Sequence, residues 1–463
     1  MKLFSDRVVM PDTTIKPALI EVNGALIEHV TPLTRSELTH TPDVDLGARL
    51  LAPAFTNTHT HLCLSALRGL VGRDALQGNV VEDLYFEVEQ RMSAADAKAL
   101  ARVGAYECLL SGTAVVWEHY YHGLAMAEAL EEVGLSAALA PTLQDLEGPG
   151  VGMLDAMLDE TLQLDTSARW ADAGIVAVLG PHATDTVSDR LWRQVVDLAE
   201  SRALPIHAHV AQSPEELTRS LERHGCPPLT RLRRLGVLEQ RALLVHGLYV
   251  GDDELHDLSG VTLGYCPAAQ AQFDFPAPVQ QWLAGGAALA LGTDAGSCND
   301  TMDIAAELRS LAIGGGFAIT DAPARRAFSA SPTPQTLAAL VSHRKAAQRQ
   351  RLSSTEVLST VWSTPGQLHP RLPVGAIAAG HRANLLVLDL DHPSLWPGRN
   401  PLRALVYGTC TGAIHGLMVS GRWIGTRGDF AGSLLRSEAW QEGIAEATAR
   451  LDALLARTGL TPR

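Results

Sequence analysis

Eight short apolar runs between residues 50 and 296 constrain this chain more than any other feature. They read LLAPAFTNTHTH, TAVVWEHYY, LSAALAPTL, GIVAVLGPHA, LPIHAHVAQ, ALLVHGLYV, TLGYCPAA and LALGTDAG. Stretches with helical apolar spacing, such as AADAKALARVGAYECLLSG and SDRLWRQVVDLAESRA, separate most of them. Eight β/α units over some 250 residues predict an α/β protein built on a (β/α)8 barrel of the TIM type. A doubly wound open sheet is the competing fold. It lacks support because no glycine-rich phosphate loop follows the first run.

The polar residues are placed as that fold requires. His59, His61, His119, His182, His209, His246 and Asp294 each stand at or near the C-terminal end of a run. In a (β/α)8 barrel that end carries the active site.

The two ends of the chain have a different texture. ALIEVNGALIEHV reads as a strand, an Asn-Gly turn and a second strand. Similar strand and turn patterns return in ANLLVLDLD and AIHGLMVSGRWIG. The expected organisation is therefore a small composite β-sandwich from residues 1–51 and 369–432, a barrel over 52–368, and a C-terminal helix over 433–463. The basic stretch 321–352 is expected to be a helical surface excursion without chemistry.

Composition excludes several functions. The net charge is −14 and the basic residues are scattered, which argues against nucleic acid or an anionic membrane as partner. No apolar run reaches the length of a membrane span, and the start of the chain carries no apolar signal stretch. Six cysteines lie far apart without a CxxC pair, as expected of reduced thiols in a cytoplasmic protein.

NTHTHL puts His59 and His61 two residues apart on a strand, so both side chains face one side. Alone, the pair suits either a metal site or an ordinary polar strand end. A third imidazole from HAH at residues 207–209 and the carboxylate of Asp294 would complete an open shell around one divalent ion.

APAFTNTHTHLCLSALRG, LPIHAHVAQSPEE, LLVHG and LGTDAGS together resemble the amidohydrolase superfamily. The branch is that of S-adenosylhomocysteine/methylthioadenosine, guanine and cytosine deaminases and triazine hydrolases. The resemblance implies one divalent metal, zinc or iron(II), held by His59, His61, His209 and Asp294. It implies Asp294 as the base that shuttles a proton, and His246 as the group that steers a metal-bound hydroxide. His182 is the substrate contact it implies, with His119 and Asp185 beside it. His207 is left as a residue of the interior. The partner expected is a small heterocycle, acted on by a homo-oligomer of two or more chains.

Gln212 departs from the pattern. The resemblance places a glutamate three residues after the strand-five ligand, where it protonates a ring nitrogen. An amide carries no titratable proton. Either the substrate needs no acid at that nitrogen, as with an already cationic amidine or a carbonyl, or another carboxyl acts, with Asp185 and Asp145 the candidates. The leading expectation is hydrolytic deamination of a purine, pterin or triazine amine. The alternatives are hydrolysis of a cyclic amide or amidine, or displacement of halide or alkylamine from a triazine. A ligand-binding protein that has lost catalysis is the remaining reading.

Overall fold

The computed structural model describes residues 1–70, 79–273, 277–314 and 322–459. The eight apolar runs all form strands, and every strand pair among them is parallel. They make two sheets. One runs Gly180–Pro181, Ser136–Leu143, Thr113–Tyr120, Phe55–His61 and Asp294–Ala295, with Ile175–Ala177 beside Ser136–Leu143. The other runs Ile206–Val210, Ala242–His246, Thr262–Tyr265 and Ala288–Leu291.

Backbone hydrogen bonds tie the two sheets together at both margins. On one side Leu179 pairs with Ile206, and His209 N–H donates to His182 O at 2.9 Å. On the other, the last run serves both sheets. Ala288–Leu291 pairs with Thr262–Tyr265, and three residues later Asp294–Ala295 pairs with Phe55–His61. The bend between these pieces contains Gly292, where a Cβ would stand 2.6 Å from His59 Cβ and 2.7 Å from His59 N. Only glycine lets the last strand pass so close to the first.

The first run divides in two. Leu50–Pro53 pairs antiparallel with Leu385–Leu388, and only from Phe55 does the chain enter the parallel sheet. Pro53 has no N–H to give to a ladder, which suits a strand end. Strands from both chain ends thus share one eight-stranded sheet, in the order Arg422–Ile424, Ile414–Val419, Leu385–Leu388, Leu50–Pro53, Lys2–Val9, Ile15–Asn23, Leu26–Pro32, with Val44–Asp45 beside Lys2–Val9. Its apolar residues from both ends, including Leu3, Ile20, Leu51, Leu385 and Met418, bury one another in a core of their own. The Asn-Gly turn is present, with Gly24 at φ 57°.

Ala322–Ala330 and Pro334–Arg349 are the two helices of the basic excursion, and the second is largely exposed. The terminal helix Glu438–Thr458 packs on Ala94–Leu110, where Arg450 and Arg457 reach the Asp96 carboxylate. No helix among the described residues is long and apolar enough to cross a membrane.

Candidate active site

The alternation that sends His59 and His61 to one side does the same for His207 and His209, and the four imidazoles meet. Each is held by its neighbours. His61 Nδ1–H donates to His119 O at 2.7 Å, and His209 Nδ1–H donates to His182 O at 2.7 Å. A carbonyl can only accept, so in both rings Nε2 is the nitrogen with the lone pair. These two Nε2 atoms lie 3.4 Å apart.

Asp294 Oδ1 lies 3.7 Å from His59 Nε2 and 3.6 Å from His61 Nε2. His59 Nε2 is buried without a hydrogen-bond partner. Burial drives His59 well below the ordinary imidazole value, and it brings His61 and His209 down to about 4. Burial also raises the Asp294 carboxyl. The rings are therefore neutral at pH 7, and they turn lone pairs rather than protons toward one another. Facing lone pairs repel. A divalent cation between them removes the repulsion and meets the carboxylate, so the residues fit a metal. Among the described residues, His59, His61 and Asp294 form one group able to hold an ion, and His59, His209 and His246 an overlapping one.

His207 has a definite task. Its Nε2 lies 2.9 Å from His59 Nδ1, which leaves His59 Nε2 turned toward Asp294. His246 is oriented similarly, with Gln270 Nε2 donating to His246 Nδ1, so that the proton of the neutral ring sits on Nε2. Both His246 (φ 81°) and Asp294 (φ 60°) have left-handed backbones at their strand ends. Such strain in non-glycine residues gathers where function requires a particular side-chain direction.

Above these groups lies a cavity of about 440 Å³. His61, His209, His246, Asp294, Gln212, His182, His119 and Asp185 line it, while His59 lies fully buried behind. The four metal-ligand candidates and His246, Gln212, His182, His119 and Asp185 are thus brought to one place, and Asp145 is not. His182 Nδ1 is 2.9 Å from Thr186 Oγ1, and His119 Nδ1 is 3.0 Å from Thr142 Oγ1. Gln212 is fixed through its backbone, whose N–H donates to Glu216 Oε2 at 2.8 Å. Asp185 Oδ2 accepts from Arg219 at 3.0 Å, and its Oδ1 is buried without a partner.

Other rim residues turn out to be structural. Asp145 accepts from the Ser188 N–H and hydroxyl at the start of the helix Asp189–Arg202 and does not line the cavity. Gln144 Oε1 accepts from Tyr121 and from Gly150 N–H. Arg68 pairs with Glu107 at 2.6 Å, while Cys298 does line the cavity, with burial holding its thiol protonated.

One cavity residue is not signalled by the sequence. Glu89, at the end of the short helix Phe86–Glu89, is buried in the lining, and desolvation pushes its carboxyl up to about 8. It sits 28 positions past His61, between helical apolar residues, and nothing local marks it as part of the site.

Comparison with known proteins agrees with this geometry. The sequence model described as the amidohydrolase family matches residues 50–424. The chain is 28% identical over 416 residues to a 5-methylthioadenosine/S-adenosylhomocysteine deaminase of Haloarcula marismortui, covering 89% of this chain and 88% of that protein. Among solved structures, an adenosine deaminase from Xanthomonas campestris with bound zinc superposes with a TM-score of 0.81 at 21% identity, covering 98% of both chains. An atrazine chlorohydrolase from Arthrobacter aurescens, complexed with zinc, gives 0.77 at 18% identity, covering 97% of this chain and 100% of that one. These structural likenesses are likenesses of fold.

Proposed function

The chain belongs to the amidohydrolase family, and on that premise we propose that it is a metal-dependent hydrolase deaminating an amino-substituted nitrogen heterocycle of purine, pterin or triazine type. One observation carries the reading. The lone-pair nitrogens of His61 and His209 face each other at 3.4 Å, and the half-buried Asp294 carboxylate stands beside them in a cavity that no described lysine or arginine lines. A divalent ion held there, zinc by the likeness to zinc-bound structures, would supply an acidified water near neutral pH.

His59, His61, His209 and Asp294 would hold the ion. Asp294 takes the proton of the attacking water and returns it to the departing nitrogen. His246 donates from Nε2 to the attacking oxygen and so steers it to the ring carbon, and Gln270 keeps it in that tautomer. Gln212 orients the ring by hydrogen bonding, and His119, His182 and Asp185 complete the pocket wall.

The position of Gln212 favours a second reading, hydrolysis of a cyclic amide or amidine or displacement of halide or alkylamine from a triazine. Its amide lines the cavity where a proton donor would be needed for a neutral ring. Ammonia release across aminopurines, aminopterins and aminotriazines decides between them. Turnover of amides or haloarenes with no ammonia from any ring amine would replace the first reading by the second.

The same reading joins the two parallel sheets into one (β/α)8 barrel over 52–368, supported by the hydrogen bonds at both margins. Residues 1–51 and 369–432 then form the small composite β-domain, supported by the one sheet and the core they share rather than by two facing sheets of a sandwich, and 433–463 the terminal helix. Six buried cysteines without a disulfide support a cytoplasmic location.

A further inference from the structure

The cavity wall carries acids and no bases. Glu82, Asp185, Glu215 and Asp294 line it together with Glu89, whose carboxyl burial keeps protonated near neutral pH, and no lysine or arginine does among the described residues. An adjoining cavity of about 370 Å³ shares Glu82 and adds Glu87 and Glu147, again with no basic lining residue. The nearby cations are already engaged. Arg219 serves Glu82 at 2.5 Å, Asp185 at 3.0 Å and Glu147 at 3.6 Å, while Arg223 serves Glu147 and Arg91 serves Glu87.

A second observation is independent of that count. Asp185, 6% exposed, and Gln270, 4% exposed, both belong to this lining, and each carries an acceptor oxygen that is buried and has no partner. Buried acceptors left unpaired are costly, and what such oxygens want is a donor.

We infer that this site takes its substrate as a cation, an amidinium-type ring whose nitrogen already carries the proton that Gln212 cannot supply. The inference rests on the deaminase reading and resolves its one inconsistency. A neutral amidine needs an acid at the ring nitrogen as the adjacent carbon is attacked. A protonated one does not, and its N–H donates to the Gln212 oxygen instead. Water adds its oxygen to the amidinium carbon as one water proton passes to Asp294. The bond from that carbon to the exocyclic nitrogen then breaks as the nitrogen takes that proton, and the proton of the added hydroxyl passes by way of Asp294 to the released ammonia, leaving a carbonyl. In sum, amidinium and water give a neutral cyclic amide and ammonium. The acidic approach would also draw cations in and repel anions.

Two measurements on the metal-loaded protein test this. In calorimetry, benzamidinium should bind at least ~10-fold tighter than its neutral isostere benzamide. The preference should shrink with added salt and in Asp185→Asn and in Glu215→Gln, the latter altering an exposed side chain. Benzamide binding equally or more tightly would overturn the inference. In kinetics, kcat/KM for a series of amino-heterocycles should fall at high pH along a limb that moves with each substrate's own ring pKa. A limb fixed across the series would overturn it as well. Absence of ammonia from every ring amine would instead remove the deaminase reading, and the calorimetric pair would still decide the charge preference.

Discussion

His207 Nε2 lies 2.9 Å from His59 Nδ1, across from Ile206–Val210 to Phe55–His61, the two strands that also present His209 and His61. His207 therefore acts on the metal site through His59, fixing which nitrogen of that ring faces Asp294. Partners of this kind typically account for 10- to 100-fold in metal affinity. His207→Ala should weaken zinc binding by about that factor, read by competition with a chromophoric chelator, while the fold persists. Unchanged affinity would make His207 a packing residue only.

Gly292 brings the last strand against the first. In Gly292→Ala the new Cβ meets His59 Cβ at 2.6 Å and His59 N at 2.7 Å, both fixed positions. Overpacking of this type costs roughly 1–3 kcal/mol. The variant should melt several degrees lower and bind zinc more weakly than the parent protein. A normal melting temperature with full zinc affinity would show that the two strands can separate freely.

Gln212→Glu restores a titratable proton beside the attacked ring. Gain of a general acid is worth ~10²- to 10⁴-fold where its absence limits the rate. Neutral ring amines should therefore be deaminated faster by the variant, and substrates already protonated should gain little. Equal changes for both groups of substrate would discard the proton argument.

Buried glutamates make stability depend on pH in a defined direction. Desolvation pushes Glu89 and Glu307 up to about 8 in the folded chain, against 4.5 for the free side chain. Between those values the unfolded chain has released protons that the folded chain still binds, so stability falls as pH rises. The buried histidines, held low, act oppositely but only below 6.5. Thermal stability should accordingly decline between pH 6.5 and 8, and Glu89→Gln should flatten the slope. A rising or level profile in that window would contradict the burial of these carboxyls.

Much of the site was legible because strands write their geometry into a two-residue period. HTH and HAH each announce a pair facing one side, and LGTDAG announces a carboxylate at a strand end. What the sequence could not show depends on contacts between distant segments. Gln270 matters because it sets the His246 tautomer, and Arg219 because it ties Glu82, Glu147 and Asp185 together. Glu89 reads as one helix position among many until the fold carries it to the cavity. Asp145 read equally well as a candidate acid, yet its oxygens are taken by Ser188. The division of LLAPAFTNTHTH between two sheets also needs the partner strand Leu385–Leu388, more than 300 residues away.

The most direct test is an anomalous scattering map at the zinc edge from crystals of the zinc-loaded protein. A single peak per chain is predicted, about 2.0–2.1 Å from Nε2 of His59, His61 and His209 and from an Asp294 carboxylate oxygen. No peak among these four side chains, or a peak held by other residues, would contradict the account.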